Sequence, residues 1–340
     1  MTIQFLENYD LTHLNTFGVK AKAKFFVELQ EEGDIKELFS SDIFKENKKI
    51  FLGGGSNTLF VNDFDGLLVL NRLKGISILE ENEESILLRV MSGENWHDFV
   101  MYSVNKGLWG IESLALIPGT VGGAPVQNIG AYGAEAKNTI VEVESYEMLN
   151  GEKKILQNNE CQFGYRDSAF KNSLKGKVFI SAVLFKLNKK SSSVPKYEAL
   201  DKYLKEKNLV IKTSKDISEA VIEVRQSKLP DPKIVGNSGS FFKNVFVQKE
   251  KIEDLQVGYP DLPFFEDEGI YKIPAGWLIE KAGWKGKSEG NVGVHDKQAL
   301  VLINKGGATG MEVKNFSEKI IQSILEKFNL KLEREVNIIE

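Results

Sequence analysis

Residues 117–133, IPGTVGGAPVQNIGAYG, restrict this chain more than any other stretch. Five glycines fall within residues 119–133, among small and apolar neighbours. Surface turns are seldom so apolar. Without a Cβ in the way, main-chain N–H groups can approach and converge on an anion, which a buried diphosphate needs because an unpaired buried charge is costly. A second run, Gly53, Gly54, Gly55, Ser56 and Asn57, follows the apolar KKIFL, which reads as a strand entering a turn. Taken alone, that run is as readily a tight turn as a binding loop. Neither segment fits G-x-G-x-x-G or G-x-x-x-x-G-K-[ST], so neither a Rossmann site nor a P-loop is evident.

Strand and helix patterns are mixed along the 340 residues, enough chain for two or three domains. GLLVLNRL, ESILLRVM and KVFISAVLFKL read as strands. ENWHDFVMYSVNKG reads as a helix, with Trp96, Phe99, Val100 and Val104 at helical spacing and Gly107 as its stop. The polar KKSSSVPKYEALDKYLKEKN reads as a linker or mobile loop. Asp216 and Glu219 suggest a capping box opening a helix striped by Ile217, Ala220, Val221 and Val224, ended by Pro230 and Pro232. Thr309 and Glu312 suggest another, before Phe316, Ile320, Ile321, Ile324 and Phe328, with Asn329 as its C-terminal cap. Leu330, Leu332, Arg334, Val336 and Ile338 alternate as one face of a last strand, which must pair with something earlier in the chain.

The net charge of -4, with both signs interspersed, argues against a nucleic-acid surface. One cysteine, Cys161, allows no internal disulfide and fits a reducing cytoplasm. The three histidines show no ligand spacing, so no metal is expected. No secretory leader and no apolar run of membrane-spanning length is recognised.

Three further motifs carry polar residues suited to chemistry. In Phe163-Gly164-Tyr165-Arg166-Asp167-Ser168, Arg166 could fork onto a carboxylate, although a surface pair with Asp167 is the commoner outcome. In Gly236-Asn237-Ser238-Gly239-Ser240-Phe241-Phe242-Lys243-Asn244, Ser240 could give a proton to a strongly basic carbanion, or merely cap a turn. In Leu332-Glu333-Arg334-Glu335-Val336, Glu335 shares a strand face with Glu333 and Asn337, the usual arrangement of a solvated face.

GGGSNTLF followed by ALIPGTVGGAPVQNIGAYG resembles the FAD-binding half of the UDP-N-acetylenolpyruvoylglucosamine reductase family, and GYRDS, GNSGSFFKN and LEREV follow in the family's order. The resemblance runs from Asn15-Thr16-Phe17-Gly18 to Val336. It implies an α+β, three-lobed FAD-binding fold of the vanillyl-alcohol-oxidase/PCMH-like flavoprotein class plus a C-terminal substrate-binding lobe. The FAD-binding region would span 17–189 in two lobes, about 1–70 with 330–340 and about 71–227, and the substrate-binding domain 228–329. Non-covalent FAD is implied, since no histidine lies near residues 53–57. Its expected contacts are Gly53, Gly54, Gly55, Ser56, Asn57, Pro118, Gly119, Thr120, Gly122, Gly123, Asn128, Gly130, Ala131, Tyr132 and Gly133, with Arg225 near the flavin ring. Without the resemblance, Arg225 reads as a plain cation near a helix C-terminus.

The implied reaction is NADPH-dependent reduction of UDP-N-acetylglucosamine enolpyruvate to UDP-N-acetylmuramate, in peptidoglycan precursor synthesis. Ser240 is similar to the family's proton donor, and Arg166 and Glu335 to the residues that stabilise the enol-like intermediate. Lys228 and Lys243 suit the UDP diphosphate, Asn244 and Gln298 the uracil or sugar, and Tyr197 is similar to a tyrosine on the closing loop of the family's longer form. Val245 stands where proline is usual, and Asn337 where some members carry arginine. A cytoplasmic monomer acting on a small molecule is expected. A flavin oxidase of the same class would share the glycine loops but lack GSFFKN and LEREV together. A non-catalytic binding protein would have no use for Arg166, Ser240 and Glu335.

Overall fold

The computed structural model describes residues 3–191, 197–267 and 269–340. Two compact units divide the chain: Met1–Tyr9, Ala23–Gly54 and Asp65–Ser227 form one, and Asp10–Lys22, Gly55–Phe64 and Lys228–Glu340 the other. In this division residues 55–64 and 330–340, whose strands Thr58–Phe60 and Asn337–Ile339 pair with each other, both go with residues 228–329.

The first unit holds two sheets. One orders Leu6–Asp10, Lys22–Leu29, Phe64–Asn71 and Lys49–Leu52, the last two parallel with Ile50 opposite Leu68. Phe64–Asn71 is buried at seven of its eight positions, which explains the apolar run Leu67–Leu70 within it, and Ile35, Leu38, Phe39 and Phe44 from two short helices cover the sheet. The other sheet orders Lys153–Gln157, Ile140–Glu147, Val178–Asn188, Ser85–Met91 and Ile76–Glu81. Its central strand, Val178–Asn188, is buried almost throughout. Helix Trp96–Asn105 buries Trp96, Phe99, Val100 and Val104, with Phe99 5.0 Å from Phe185, ring centre to ring centre. Asn95 caps it by accepting from Asp98 N–H, and Gly107 at φ 73° follows its end, as the spacing anticipates.

Two readings need correction. The segment after residue 196 is not linker throughout: Glu198–Glu206 is a helix that buries Leu200 completely and packs Tyr203 and Leu204 against the core. Its charge masked a one-sided apolar stripe. Residues 192–196, the Ser-Pro part of that reading, lie outside the described residues. The next helix is Ser214–Lys228, two residues earlier than expected. Asp216 closes its capping arrangement rather than opening it. Its carboxylate accepts the Lys212 and Thr213 N–H groups at 2.8 Å, and its own N–H donates to Thr213 Oγ1 at 3.2 Å.

A charge cluster ties this unit together. Arg89 donates to Glu144 at 2.6 Å and to Glu32 at 3.0 Å, Lys153 pairs with Glu144 at 2.8 Å, and Tyr146 donates to Glu32 at 3.1 Å. Burial raises the Glu144 carboxyl, but hydrogen bonds from Arg89 and Lys153 outweigh it and hold the group below the usual glutamate range. A depressed folded pKa stabilises the fold above the unfolded value, about 4.3, and that stabilisation disappears as pH falls through the folded value. Urea midpoints of Glu144→Gln should therefore lie below wild type at neutral pH and converge on it under acid. A gap that persists below the folded Glu144 pKa would contradict this. Burial also pushes the Cys161 thiol up to about 12, which leaves it unreactive at neutral pH.

The second unit contains a sheet ordered Gly236–Ser240, Val301–Asn304, Val292–Val294 and Ser288–Glu289, and another ordered Val245–Val247, Ile270–Ile273 and Phe265–Asp267. Helix Gly310–Phe328 has the expected Thr309–Glu312 capping box, ends in left-handed Asn329 at φ 51°, and buries Phe316, Ile320, Ile324 and Phe328. Ile321 is only half-buried. Gly310 is required by contact: a Cβ there would lie 1.7 Å from the Phe60 carbonyl oxygen. The terminal strand is Asn337–Ile339, parallel to Thr58–Phe60, shorter than the alternation suggests. Leu330, Leu332 and Val336 are nonetheless buried, and residues 333–335 are laced to 241–243 by Lys243 N–H to the Glu333 carbonyl and Glu335 N–H to the Phe241 carbonyl. Among the described residues, no helix is long and apolar enough to cross a membrane.

Candidate active site

In the first unit the two glycine segments abut. A Cβ on Gly53 would stand 2.3 Å from Thr120 Oγ1, and one on Gly54 2.9 Å from the Gly119 Cα. Gly122 is hemmed in by Ser92, whose Cβ would be 2.7 Å away. Gly123 differs, because nothing lies within 4 Å of where its Cβ would be. The first turn of helix Trp96–Asn105 holds the loop: Trp96 Nε1 donates to the Leu114 carbonyl at 2.9 Å, Trp96 N–H to the Gly119 carbonyl at 3.1 Å, and Leu116 N–H to His97 Nδ1 at 3.1 Å. Pro118 is exposed on it.

Gly130–Ala131 and Ala134–Glu135 pair as a hairpin whose two turn residues, Tyr132 (φ 50°) and Gly133 (φ 79°), are both left-handed. That is the geometry of a two-residue turn compatible with strand twist. Asn128, expected to touch FAD, has its side chain engaged by the protein. It is wholly buried at φ 42°, donates to Glu135 Oε2 and the Gly164 carbonyl, and accepts Lys137 N–H. It clamps the hairpin to the Gly164–Asp167 turn. Arg166 sits in that turn at φ 52°, a left-handed conformation that a non-glycine residue keeps only under constraint. Its Nη2 donates to the Gly130 carbonyl at 2.6 Å, and Lys171 Nζ holds its own carbonyl. Asp167 accepts from Asn172 Nδ2 at 3.0 Å, a bond local to the turn.

Arg225, on helix Ser214–Lys228, keeps some exposure overall, yet its Nε is sealed from solvent and makes no hydrogen bond. Burial disfavours its charge, nearby Tyr132 partly offsets this, and Arg166 adds to it. Burial likewise raises the Tyr132 phenol. Tyr197 packs edge-on against Tyr132 at 5.1 Å and immediately precedes helix Glu198–Glu206.

In the second unit Gly55 is left-handed (φ 61°), and a Cβ would lie 1.8 Å from the Leu14 carbonyl oxygen. Asn57 Nδ2 donates to the Glu335 carbonyl at 3.1 Å, and the Asn57 carbonyl accepts both N–H and Nδ2 of Asn337 at 3.0 Å. Asn337 thus anchors the final segment. Ser56 is half-buried beside them. Of the two serines in GNSGS, Ser238 is buried 3.4 Å from Thr16 Oγ1, whereas Ser240 is exposed at the strand end. Because Glu335 N–H bonds the carbonyl of Phe241, Glu335 lies beside Ser240 in the same unit.

Lys243 pairs with Glu333 at 3.6 Å. Asn244 Oδ1 accepts Ala275 N–H, and Gln298 Oε1 accepts Leu300 N–H. Lys228 is exposed at its helix end. Val245 opens a strand opposite Ile273, where it can supply a ladder N–H that proline lacks. His97 is the residue that sequence reasoning missed. It has no motif, and its part depends on a hydrogen bond to a residue 19 positions away.

The first unit fits a flavin dinucleotide. At Gly54 its glycine loops meet main chain to main chain, Gly123 is a glycine that packing does not require, and a shielded guanidinium lacks a partner at Nε. Residues 23–157 match the family model described as an FAD binding domain, and residues 231–339 match UDP-N-acetylenolpyruvoylglucosamine reductase, C-terminal domain. The fold is also that of a solved structure, UDP-N-acetylenolpyruvylglucosamine reductase from Thermus caldophilus (TM-score 0.65, 21% identity, 99% of both chains covered). The chain is therefore an α+β, FAD-dependent oxidoreductase. Curated relatives named UDP-N-acetylenolpyruvoylglucosamine reductase are 44% identical in Flavobacterium johnsoniae, over 99% of this chain and 100% of the relative, and 43% in Chromobacterium violaceum, over 98% and 99%. This chain belongs to the UDP-N-acetylenolpyruvoylglucosamine reductase family.

Proposed function

We propose that the chain reduces UDP-N-acetylglucosamine enolpyruvate to UDP-N-acetylmuramate with NADPH as reductant, in the cytoplasmic synthesis of peptidoglycan precursors, as a monomer. The observation that carries this reading is exposed Ser240, with Glu335 laced by its N–H to the carbonyl of the adjacent Phe241. FAD, when bound, supplies the hydride for the enolpyruvyl double bond. Addition at one alkene carbon leaves charge spreading from the other onto the carboxylate, so that carboxylate needs a fixed cation and the carbanion an acid. Arg166, immobilised on Gly130, forks onto the carboxylate. Glu335 takes part in its protonated form, since an ionised carboxylate would repel the forming dianion. Ser240 delivers the proton.

Lys228 and Lys243 bind the UDP diphosphate. Asn244 and Gln298, each with its side-chain oxygen engaged, contribute amide donors to uracil or sugar. Tyr197 closes over substrate from its place against Tyr132. Gly53, Gly54, Gly119, Thr120, Gly122 and Gly123 accommodate FAD through main chain, joined by Gly55, Ser56, Asn57, Pro118, Gly130, Ala131, Tyr132 and Gly133. Arg225 supplies positive charge near the flavin ring.

The test is the visible spectrum of the purified protein, followed by NADPH oxidation with and without UDP-N-acetylglucosamine enolpyruvate. A yellow protein whose NADPH oxidation depends on that compound is the expected result. A yellow protein indifferent to it would overturn the substrate assignment.

A further inference from the structure

The geometry points to His97 as a positioning residue: by accepting the Leu116 N–H through Nδ1, it fixes the turn that presents residues 118–120 to FAD. This rests on the proposed contacts between that loop and the cofactor. Leu116 has φ 59°, a left-handed conformation that costs a side-chain-bearing residue energy and persists only where the surroundings impose it. Two of the three bonds from the helix's first turn come from Trp96 and clasp the carbonyls of Leu114 and Gly119, on either side of Leu116. The third, from the Leu116 N–H itself, ends on the imidazole at 3.1 Å. Without it, an N–H in the strained turn loses its acceptor.

The role demands a neutral ring. Accepting through Nδ1 places the proton on Nε2, and a second proton would set N–H against N–H. Burial keeps the imidazole below the ordinary histidine range. Asp98 on the same helix opposes that shift, and Arg225 from helix Ser214–Lys228 reinforces it. The bond therefore survives through neutral pH and fails only under acid.

The measurement is FAD release from the holoenzyme, read as free-flavin fluorescence on dilution, across a pH series, for wild type, His97→Ala and His97→Asn. The asparagine Oδ1 can replace Nδ1 as acceptor but cannot titrate. His97→Ala should hold FAD about tenfold more weakly, the effect of one lost hydrogen bond with a stranded donor. His97→Asn should recover most of that affinity at neutral pH. Under acid, wild type should lose affinity more steeply than His97→Asn. Wild-type affinity in His97→Ala, no recovery in His97→Asn, or parallel pH profiles would each overturn the assignment. If His97→Ala does not fold, the wild-type and His97→Asn profiles decide alone. A wild-type protein holding no FAD would overturn the cofactor contacts and this role together, whereas wild type and His97→Ala holding FAD equally would overturn this role alone.

Discussion

Alanine in place of Ser240 should slow reduction of the enolpyruvyl substrate by about 10²- to 10⁴-fold, the range over which a positioned general acid acts. Ser240 is exposed at the end of strand Gly236–Ser240, so trimming its side chain opens no core cavity. NADPH oxidation in a first turnover without substrate should therefore keep its wild-type rate. Stopped-flow measurement of both half-reactions separates these effects. Equal slowing of both would point to a structural defect, and no slowing would move the donor elsewhere. Ser238 is a poor substitute, because it is buried against Thr16.

A smaller but still large effect is expected on cofactor binding when Gly54 becomes alanine. The added Cβ would lie 2.9 Å from the Gly119 Cα, main chain against main chain, where no flexible side-chain end can move aside. Overpacking of this kind costs about 1–3 kcal/mol. If that strain falls on the loop spacing, FAD affinity drops by about 5- to 150-fold, with a lowered thermal midpoint for the apoprotein. Gly123→Ala is the control. No atom lies within 4 Å of its new Cβ, so its apoprotein should melt as wild type does while FAD binding weakens. Unchanged FAD affinity in both variants would remove residues 53–54 and 119–123 from the cofactor site.

Features written in local periodicity were legible in the sequence. Trp96, Phe99, Val100 and Val104 gave one helix, and the Thr309–Glu312 spacing gave the start of another, because each depends on residues within a turn or two. Asp216 was misplaced within its cap because Thr213 and Asp216 have the same three-residue spacing as Asp216 and Glu219, and which pair closes depends on where the chain turns. The helix at Glu198–Glu206 was hidden by its lysines and acids, with only Leu200 fully buried. At the site, the glycine segments and the chemical motifs stood out, but their functions within the fold did not. The side chain of Asn128 clamps the hairpin to the Arg166 turn, a role that no local pattern announces because it is fixed by partners at Glu135 and Gly164. Likewise nothing local distinguishes Ser238 from Ser240. Burial against a residue more than two hundred positions earlier does so.

The parallel pairing of Asn337–Ile339 with Thr58–Phe60 has a consequence for the order of events at the ribosome. Every segment of the first unit has been made once Ser227 is added, so that unit can consolidate while the rest is being translated. Thr58–Phe60 must wait nearly 280 residues for its partner, with the Leu59 and Phe60 side chains, fully buried in the finished fold, lacking their final cover. Contacts of such long range form late and leave apolar surface open in the interval. Aggregation during synthesis should therefore begin at this edge, and a nascent chain halted a few residues short of Asn337 is the species most in need of a chaperone.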